Sequence, residues 1–123
     1  ASRALVIHPP SFRDSAVPPA IAALYGERVI DLTDAEKAAF AGNCIALSDR
    51  DVWMSTAAAE ALTPQHRADL AAWGFAVKSV ALAEIEKAGG SLRCCVAEIY
   101  SPAGRPRARG GGCGSPRSPC QRV

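Results

Sequence analysis

The order of secondary-structure signals at residues 44–80 most constrains the fold of this 123-residue chain. Two short apolar runs, residues 44–47 and 52–55, flank a polar four-residue turn, and this pattern predicts a β-hairpin. A helix is predicted at residues 63–74, beginning or restarting at its Thr-Pro dipeptide, and a strand follows at residues 75–80. The order strand–turn–strand–helix–strand is typical of an α/β protein with a mixed sheet.

The segment before residue 44 has a related order of strand, helix, strand and helix. Its second helix opens on a capping box, with Thr33 as N-cap and Glu36 reaching back to it, and is predicted to end at Gly42. The sequence thus predicts two similar α/β units. The other predicted elements are strands at residues 4–7, 28–31 and 94–100 and helices at residues 18–25, 33–40 and 82–87.

The charge distribution divides the chain at residue 101. Five of the fourteen basic residues follow Pro102, where no acidic residue occurs, which leaves nine basic and all twelve acidic residues in the first part. Residues 1–101 are therefore mildly acidic and form the predicted folded domain. Residues 102–123 are rich in Gly, Pro and Arg, are predicted to be disordered, and have the composition that a shifted reading frame in GC-rich DNA would produce.

Cysteine usage favours a reduced, cytoplasmic protein. The count is odd, with two adjacent residues, which argues against a disulfide framework, and the spacing lacks the paired C-x-x-C ligands of a zinc site. No signal peptide or membrane-spanning run is predicted. We expect no metal, no organic cofactor and no membrane partner. The cysteines are Cys44, Cys94, Cys95, Cys113 and Cys120.

Residues 89–100, with the sequence GGSLRCCVAEIY, contain several side chains that could take part in catalysis. They place Cys94 where a glycine-rich turn meets the last predicted strand, directly after Arg93. A neighbouring guanidinium favours the thiolate form of a cysteine, which is the nucleophilic species. Strand alternation directs Cys95 to a packed face and puts Glu98, with a structural role, on the same face as Cys94.

Together with Gly42-Asn43-Cys44, this segment resembles the C-terminal part of the guanidino-group-modifying enzymes, the pentein superfamily. That superfamily includes arginine deiminases, dimethylarginine dimethylaminohydrolases and amidinotransferases, and the arginine-deiminase-related hydrolases are the most similar. The resemblance implies a five-bladed α/β propeller of ββαβ modules, with the active site in its central channel. It covers residues 4–100, so about two modules are expected here.

The resemblance also implies a chemistry. A cysteine thiolate attacks the guanidinium carbon of an arginine-like substrate, an amine leaves, and water converts the covalent thiouronium adduct to a ureido product such as citrulline. Cys94 matches the nucleophile; its alternative is an inert core thiol. Arg93 is expected to lower the thiol pKa or hold a substrate carboxylate, or else to be a solvated charge. Asn43 is expected to line the channel, or else to be a turn residue.

The histidine that this chemistry needs is not evident. His8 ends the first predicted strand, and His66, in the first turn of a predicted helix, is expected to face solvent. In the family pattern the catalytic histidine lies about a dozen residues before the strand that corresponds to the first predicted strand here. The guanidinium-binding carboxylates belong to earlier modules. We therefore predict that the 123-residue chain alone does not turn over arginine.

Two other interpretations remain open. One is a non-catalytic α/β remnant or module whose basic tail, with Arg107 and Arg109 beside three glycines, binds RNA, although nucleic acid is not the expected partner. The other is a cysteine hydrolase of another fold that uses His8 or His66. The sequence does not determine which small guanidino compound is the substrate or whether the enzyme is a hydrolase or an amidinotransferase. It also leaves the oligomeric state open.

Overall fold

The computed structural model describes residues 3–99, and predictions for the tail at residues 102–123 lie outside them. The described part is an α/β arrangement of short strands and helices. In chain order the elements are β1 (Leu5–Ile7), α1 (Val17–Ala22), β2 (Val29–Asp31), α2 (Asp34–Ala38), β3 (Ile45–Ala46), β4 (Asp51–Ser55), α3 (Thr56–Ala61), α4 (Pro64–Ala72), β5 (Ala76–Val80) and α5 (Ala83–Glu86), with 3-10 turns at Pro9–Ser11 and Leu92–Cys95.

Two small sheets organise these elements. β1 and β2 pair in parallel, with Leu5 opposite Val29. β3 and β4 form the predicted antiparallel hairpin, and β5 pairs in parallel with β4 on the other side. The connection from β4 to β5 passes through α3 and α4, as expected for a parallel pair, which needs a crossover. The predicted order strand–turn–strand–helix–strand is confirmed, and the structure adds the parallel pairing of the last strand.

Local signals explain where α2 begins and ends. The Thr33 hydroxyl accepts a hydrogen bond from the Glu36 amide at 3.2 Å, and the Glu36 carboxylate accepts one from the Thr33 amide at 2.8 Å, so the predicted capping box is confirmed. The helix ends earlier than predicted, because Phe40 adopts φ 63° and the Ala41 amide donates back to the Glu36 carbonyl at 2.9 Å. This backbone pattern closes a helix with one left-handed residue.

The crossover contains two helices separated by a restart. Ser55 caps α3 by accepting a hydrogen bond from the Ala58 amide at 3.1 Å. Thr63 caps α4 in the same way for the His66 amide at 3.2 Å, and Pro64 occupies the first turn, where a missing N–H costs nothing. The predicted restart at Thr63 and Pro64 is therefore confirmed, and α3 is the preceding helix that the sequence analysis did not delimit.

A single apolar cluster joins the two sheets and the helices. Its members come from β2 and the segment after it, from β4, and from α3, α4 and the start of β5. Burial of these side chains supplies the main favourable term in folding. The buried members are Ile30, Leu32, Ala41, Val52, Met54, Ala58, Ala59, Leu62, Leu70 and Phe75.

The predicted last strand at residues 94–100 is wrong within the described residues. The Cys94 amide donates to the Ser91 carbonyl at 3.1 Å, and the Val96 amide donates to the Arg93 carbonyl at 3.4 Å. These three-residue bonds close a 3-10 turn, and no strand is assigned from Val96 to Ile99. Strand alternation therefore does not apply, and Cys95 is exposed instead of packed.

Candidate active site

Cys94 lies in a tight glycine-rich turn, called here the Cys94 turn (residues 89–95). Gly89 adopts φ 91°, a conformation that favours glycine. A Cβ added to Gly90 would lie 3.6 Å from the Cys94 Cβ and 3.8 Å from its Sγ, so the glycine backbone lies directly against the thiol. Cys94 is exposed, which excludes the alternative of a buried core thiol.

Asn43 holds the Cys94 turn from the segment between α2 and β3. Its side-chain Nδ2 donates to the Cys94 Sγ at 3.1 Å, and its Oδ1 accepts from the Arg93 amide at 2.7 Å. The Asn43 amide in turn donates to the Phe40 carbonyl at 2.8 Å, so the end of α2 fixes the position of the side chain. The structure thus brings the side chain of Asn43 into contact with the Cys94 sulfur and the Arg93 backbone.

Hydrogen bonding lowers the pKa of the Cys94 thiol. The largest cause is the hydrogen bond from the Asn43 side chain, and the second is one from the Ser91 backbone. Both stabilise the anionic sulfur, which is the nucleophilic form of a cysteine. An exposed thiol with a lowered pKa is suited to attack a small electrophile.

Arg93, next to Cys94 in the chain, is paired with a carboxylate. Its guanidinium forms an ion pair with the Glu98 carboxylate, and the contribution to the thiol comes from its neighbours Asn43 and Ser91. Arg93 and Glu98 both line a cavity of about 460 Å³ between the two sheets, together with Tyr25 and Cys44. The charge of Arg93 is therefore balanced at a cavity wall.

Cys44 contrasts with Cys94. It is half-buried beside the core, and burial raises the pKa of its thiol. A buried thiol is held in its neutral form and reacts slowly. Of these two cysteines beside Asn43, only Cys94 has the exposure and the lowered pKa of a nucleophile.

His66 does not face solvent as expected. Its Nδ1 lies 2.7 Å from Oε1 of Glu36, a carboxylate with no exposed surface. Burial acts to raise the pKa of Glu36, but hydrogen bonds from the Thr63 and Thr33 backbone, from His66 and from the Thr33 hydroxyl lower it to about 2. We call these residues the Glu36 junction (Thr33, Glu36, Thr63 and His66), and its contacts tie the start of α2 to the start of α4.

His8 is hydrogen-bonded to a hydroxyl and a carboxylate. Its Nδ1 lies 2.6 Å from the Ser11 hydroxyl, and its Nε2 lies 3.0 Å from the Asp34 carboxylate. His8 and Asn43 line the same cavity of about 370 Å³, but within residues 3–99 neither histidine is hydrogen-bonded to a cysteine. The interpretation as a cysteine hydrolase that uses His8 or His66 gains no support from this geometry.

Residues 3–99 contain neither a candidate metal site nor a candidate membrane-spanning helix. No group of three or more His, Cys, Asp and Glu side chains in that range is placed to hold a metal ion. None of the helices described there combines the length and apolar character that crossing a membrane requires.

A family profile described as "N,N dimethylarginine dimethylhydrolase, eukaryotic" matches residues 14–101 of the chain. The chain belongs to this family. The matched region contains Asn43 and the whole Cys94 turn, the two parts of the candidate site. Comparison with curated proteins gives no match.

Solved structures of arginine dihydrolases have the same fold as this member of the dimethylhydrolase family. The N-terminal domain of ArgZ, an arginine dihydrolase from the ornithine–ammonia cycle in cyanobacteria, is 26% identical, with a TM-score of 0.59, over 72% of this chain and 30% of that one; it is a cysteine-to-serine mutant bound to substrate. AgrE in a ternary complex with ornithine and NAD⁺ is 25% identical, with a TM-score of 0.65, over 81% of this chain and 14% of that one.

These similarities place the chain in the pentein superfamily of guanidino-group-modifying enzymes, as its sequence suggested, with the corresponding α/β fold over a partial region. Its family and its structural neighbours are guanidino-group hydrolases. The chain spans less than a third of the length of the solved structures reported above. Parts of those proteins therefore have no counterpart among its residues.

Sequence reasoning missed the hydrogen bond that joins Ser91, in the Cys94 turn, to Glu86 at the end of α5. Ser91 is fully buried, and its hydroxyl donates to the Glu86 Oε1 at 2.8 Å. The only sequence signal was the Gly-Gly-Ser run itself, which was interpreted as a feature of the turn alone. Ser91 is the one residue of that Gly-Gly-Ser run whose side chain can form a hydrogen bond and so anchor the turn.

Proposed function

We propose that this chain is the C-terminal part of a cysteine-dependent hydrolase of guanidino compounds and that Cys94 is its nucleophile. The observation that carries the proposal is the exposed Cys94 thiol with the Asn43 amide 3.1 Å from its sulfur. The family match and a substrate-bound ArgZ structure with a mutated cysteine support it. The substrate class is arginine or a methylated arginine, and the location is the reducing cytoplasm.

The proposed reaction balances without a cofactor. The Cys94 thiolate attacks the guanidinium carbon to form a C–S bond, and the C–N bond breaks as the leaving nitrogen takes a proton and departs as ammonia or an alkylamine. Water then adds to the same carbon, the C–S bond breaks, and the ureido product leaves with the thiolate restored. Asn43 and the Ser91 backbone stabilise that thiolate before the attack and after product release.

The proton transfers require a group that residues 3–99, the part the structure describes, do not bring to Cys94. His8 is held by Ser11 and Asp34, and His66 by the buried Glu36. We therefore place the general acid and base, and the carboxylates that bind the guanidinium, in a part of the enzyme outside these 123 residues. On this proposal the isolated chain binds no substrate productively and is inactive.

The test begins with the genomic locus from several hundred bases before the codon of Ala1 to beyond that of Val123. The longest frame joined to this chain is expressed, and ureido product and released amine are measured from arginine and from Nω-methylarginine. We expect turnover that Cys94→Ala abolishes and that Cys95→Ala, the matched change of the neighbouring exposed thiol, leaves in place.

Three results would overturn the proposal. The first is turnover of arginine by the 123-residue chain alone that is lost on Cys94→Ala, because the chain would then need no further residues. The second is full activity of the extended enzyme without Cys94. The third is an extended enzyme that folds and converts neither guanidino compound.

A further inference from the structure

Ser91 is a buried polar residue that the mechanism above uses only through its backbone. Its side chain has no exposed surface, and its hydroxyl donates to the Glu86 Oε1 at 2.8 Å. Glu86 is half-buried and is the last residue of α5. A buried hydroxyl without an acceptor is costly, so this bond fixes the distance between Ser91 and the end of α5.

The backbone of Ser91 is the centre of the Cys94 turn. Its carbonyl accepts hydrogen bonds from the Cys94 amide at 3.1 Å and from the Cys95 Sγ at 3.4 Å. Its backbone also contributes a hydrogen bond that lowers the pKa of the Cys94 thiol. A displacement of Ser91 would therefore change the position of the thiol and its environment at once.

We infer that Ser91 and Glu86 are positioning residues that hold Cys94 in its reactive geometry, with α5 as their fixed support. This inference rests on the proposed function for its catalytic meaning, but its measurable content is the reactivity of one thiol. It adds a second anchor to Asn43, which reaches the same sulfur from the segment after α2.

Two other glutamates near the Cys94 turn, Glu84 and Glu98, form ion pairs, whereas Glu86 accepts the hydrogen bond from Ser91. Glu84, on the same helix, accepts two hydrogen bonds from Lys87 at 2.7 and 2.8 Å, and both of these side chains are exposed. Glu98 pairs with Arg93. Glu84 is therefore a matched control for Glu86, because it has the same side chain on the same helix but is hydrogen-bonded to Lys87 and not to Ser91.

The experiment measures the alkylation rate of Cys94 by iodoacetamide in the 123-residue chain, resolved for each cysteine by peptide mass spectrometry. Rates are taken between about pH 6 and pH 10, a range that brackets the usual thiol pKa. The loss variants are Ser91→Ala and Glu86→Leu, which remove the donor and the acceptor of one bond. The conservative variant is Glu86→Gln, which keeps an acceptor oxygen, and the control is Glu84→Leu.

We expect both loss variants to slow alkylation of Cys94 near neutral pH by about tenfold and to move its pH midpoint upward, since thiolate abundance sets the rate. Glu86→Gln is expected to retain most of the wild-type rate, and Glu84→Leu all of it. Cys44 reports on folding in the same samples, because a half-buried thiol reacts quickly only when the chain opens.

The inference is overturned if both loss variants keep the wild-type pH midpoint at Cys94, even with a lower melting temperature, because the bond is then structural only. It is also overturned if both unfold, as seen from rapid alkylation of Cys44. If only one of the two loss variants folds, the pH midpoint of Cys94 in that variant alone tests the inference. Failure of the proposed function is distinct: it would appear as turnover in an extended enzyme without Cys94, whatever the alkylation rates.

Discussion

The Glu36 junction and the Cys94 turn each hold an ionisable group by hydrogen bonds, and they differ in exposure. Glu36 is fully buried and accepts bonds from two backbone amides, a hydroxyl and an imidazole. Cys94 is exposed, and its sulfur accepts a bond from the Asn43 amide. The same kind of contact lowers both pKa values, but burial makes the first a determinant of stability and exposure makes the second a determinant of reactivity.

The largest expected effect is on the stability of the Glu36 junction. Glu36→Gln removes the charge and replaces one accepting carboxylate oxygen by an NH₂ group, which faces donors. We therefore expect the free energy of unfolding to fall by about 3 kcal/mol. Urea denaturation followed by circular dichroism measures the change. Glu60→Gln, at an exposed position of α3, is the control and should leave the midpoint unchanged. A Glu36→Gln midpoint equal to that of the wild type would contradict this division of roles.

A second effect of similar size follows from pH. The pKa of Glu36 is lowered from 4.5 to about 2 in the fold, so its contribution is complete above the unfolded value and is lost as the pH falls through the folded one. That difference corresponds to about 3 kcal/mol lost between about pH 5 and pH 2. Urea midpoints across this range measure it. The Glu36→Gln variant should lack this component of the acid dependence, and an identical slope in both proteins would contradict the prediction.

A smaller effect is expected at the exposed group. Asn43→Ala removes the main cause of the lowered Cys94 pKa, so alkylation of Cys94 near neutral pH should slow by about tenfold at most. Asn43→Asp should slow it further, because a carboxylate repels the thiolate. Cys95, whose sulfur donates to the Ser91 carbonyl, serves as the internal control in the same peptide. Unchanged Cys94 kinetics in both variants would remove the basis of the comparison.

The smallest effect is expected from Arg93→Met. The guanidinium is paired with Glu98, and the lowering of the Cys94 pKa comes from Asn43 and Ser91, so the alkylation rate should change by less than about twofold. Rates at low and high salt measure any remaining charge effect. A tenfold decrease that salt suppresses would contradict this prediction and support one of the three sequence-based alternatives for Arg93, that it lowers the pKa of the thiol.

Local signals predicted the fold well where partners lie close in sequence. The Thr33–Glu36 capping box, the hairpin and the Thr63–Pro64 restart each depend on contacts within a few residues. The last strand was mispredicted because the apolar composition after Cys94 is typical of a strand. In the structure the Cys94 and Val96 amides instead form turn hydrogen bonds to the Ser91 and Arg93 carbonyls. Turn hydrogen bonding competes with strand pairing and leaves little trace in composition.

The candidate site was predicted only in part, for a different reason. Cys94 and Asn43 were found through a family motif, and the structure adds the contact that joins them. His66 was misassigned because its partner Glu36 had been given a local capping role, although its second oxygen reaches across to α4. Ser91 and Arg93 have partners that depend on where the chain folds back, and one sequence does not fix that position.

The separation between Asn43 and Cys94 has a consequence for synthesis. These residues are 51 positions apart, so the contact forms only when both have left the ribosome and the chain between them has folded. Until then the thiol lacks its amide donor and behaves as an ordinary cysteine. On the proposed function, Cys94 becomes an activated nucleophile only by folding, so a nascent or unfolded chain does not expose an activated sulfur to cellular electrophiles.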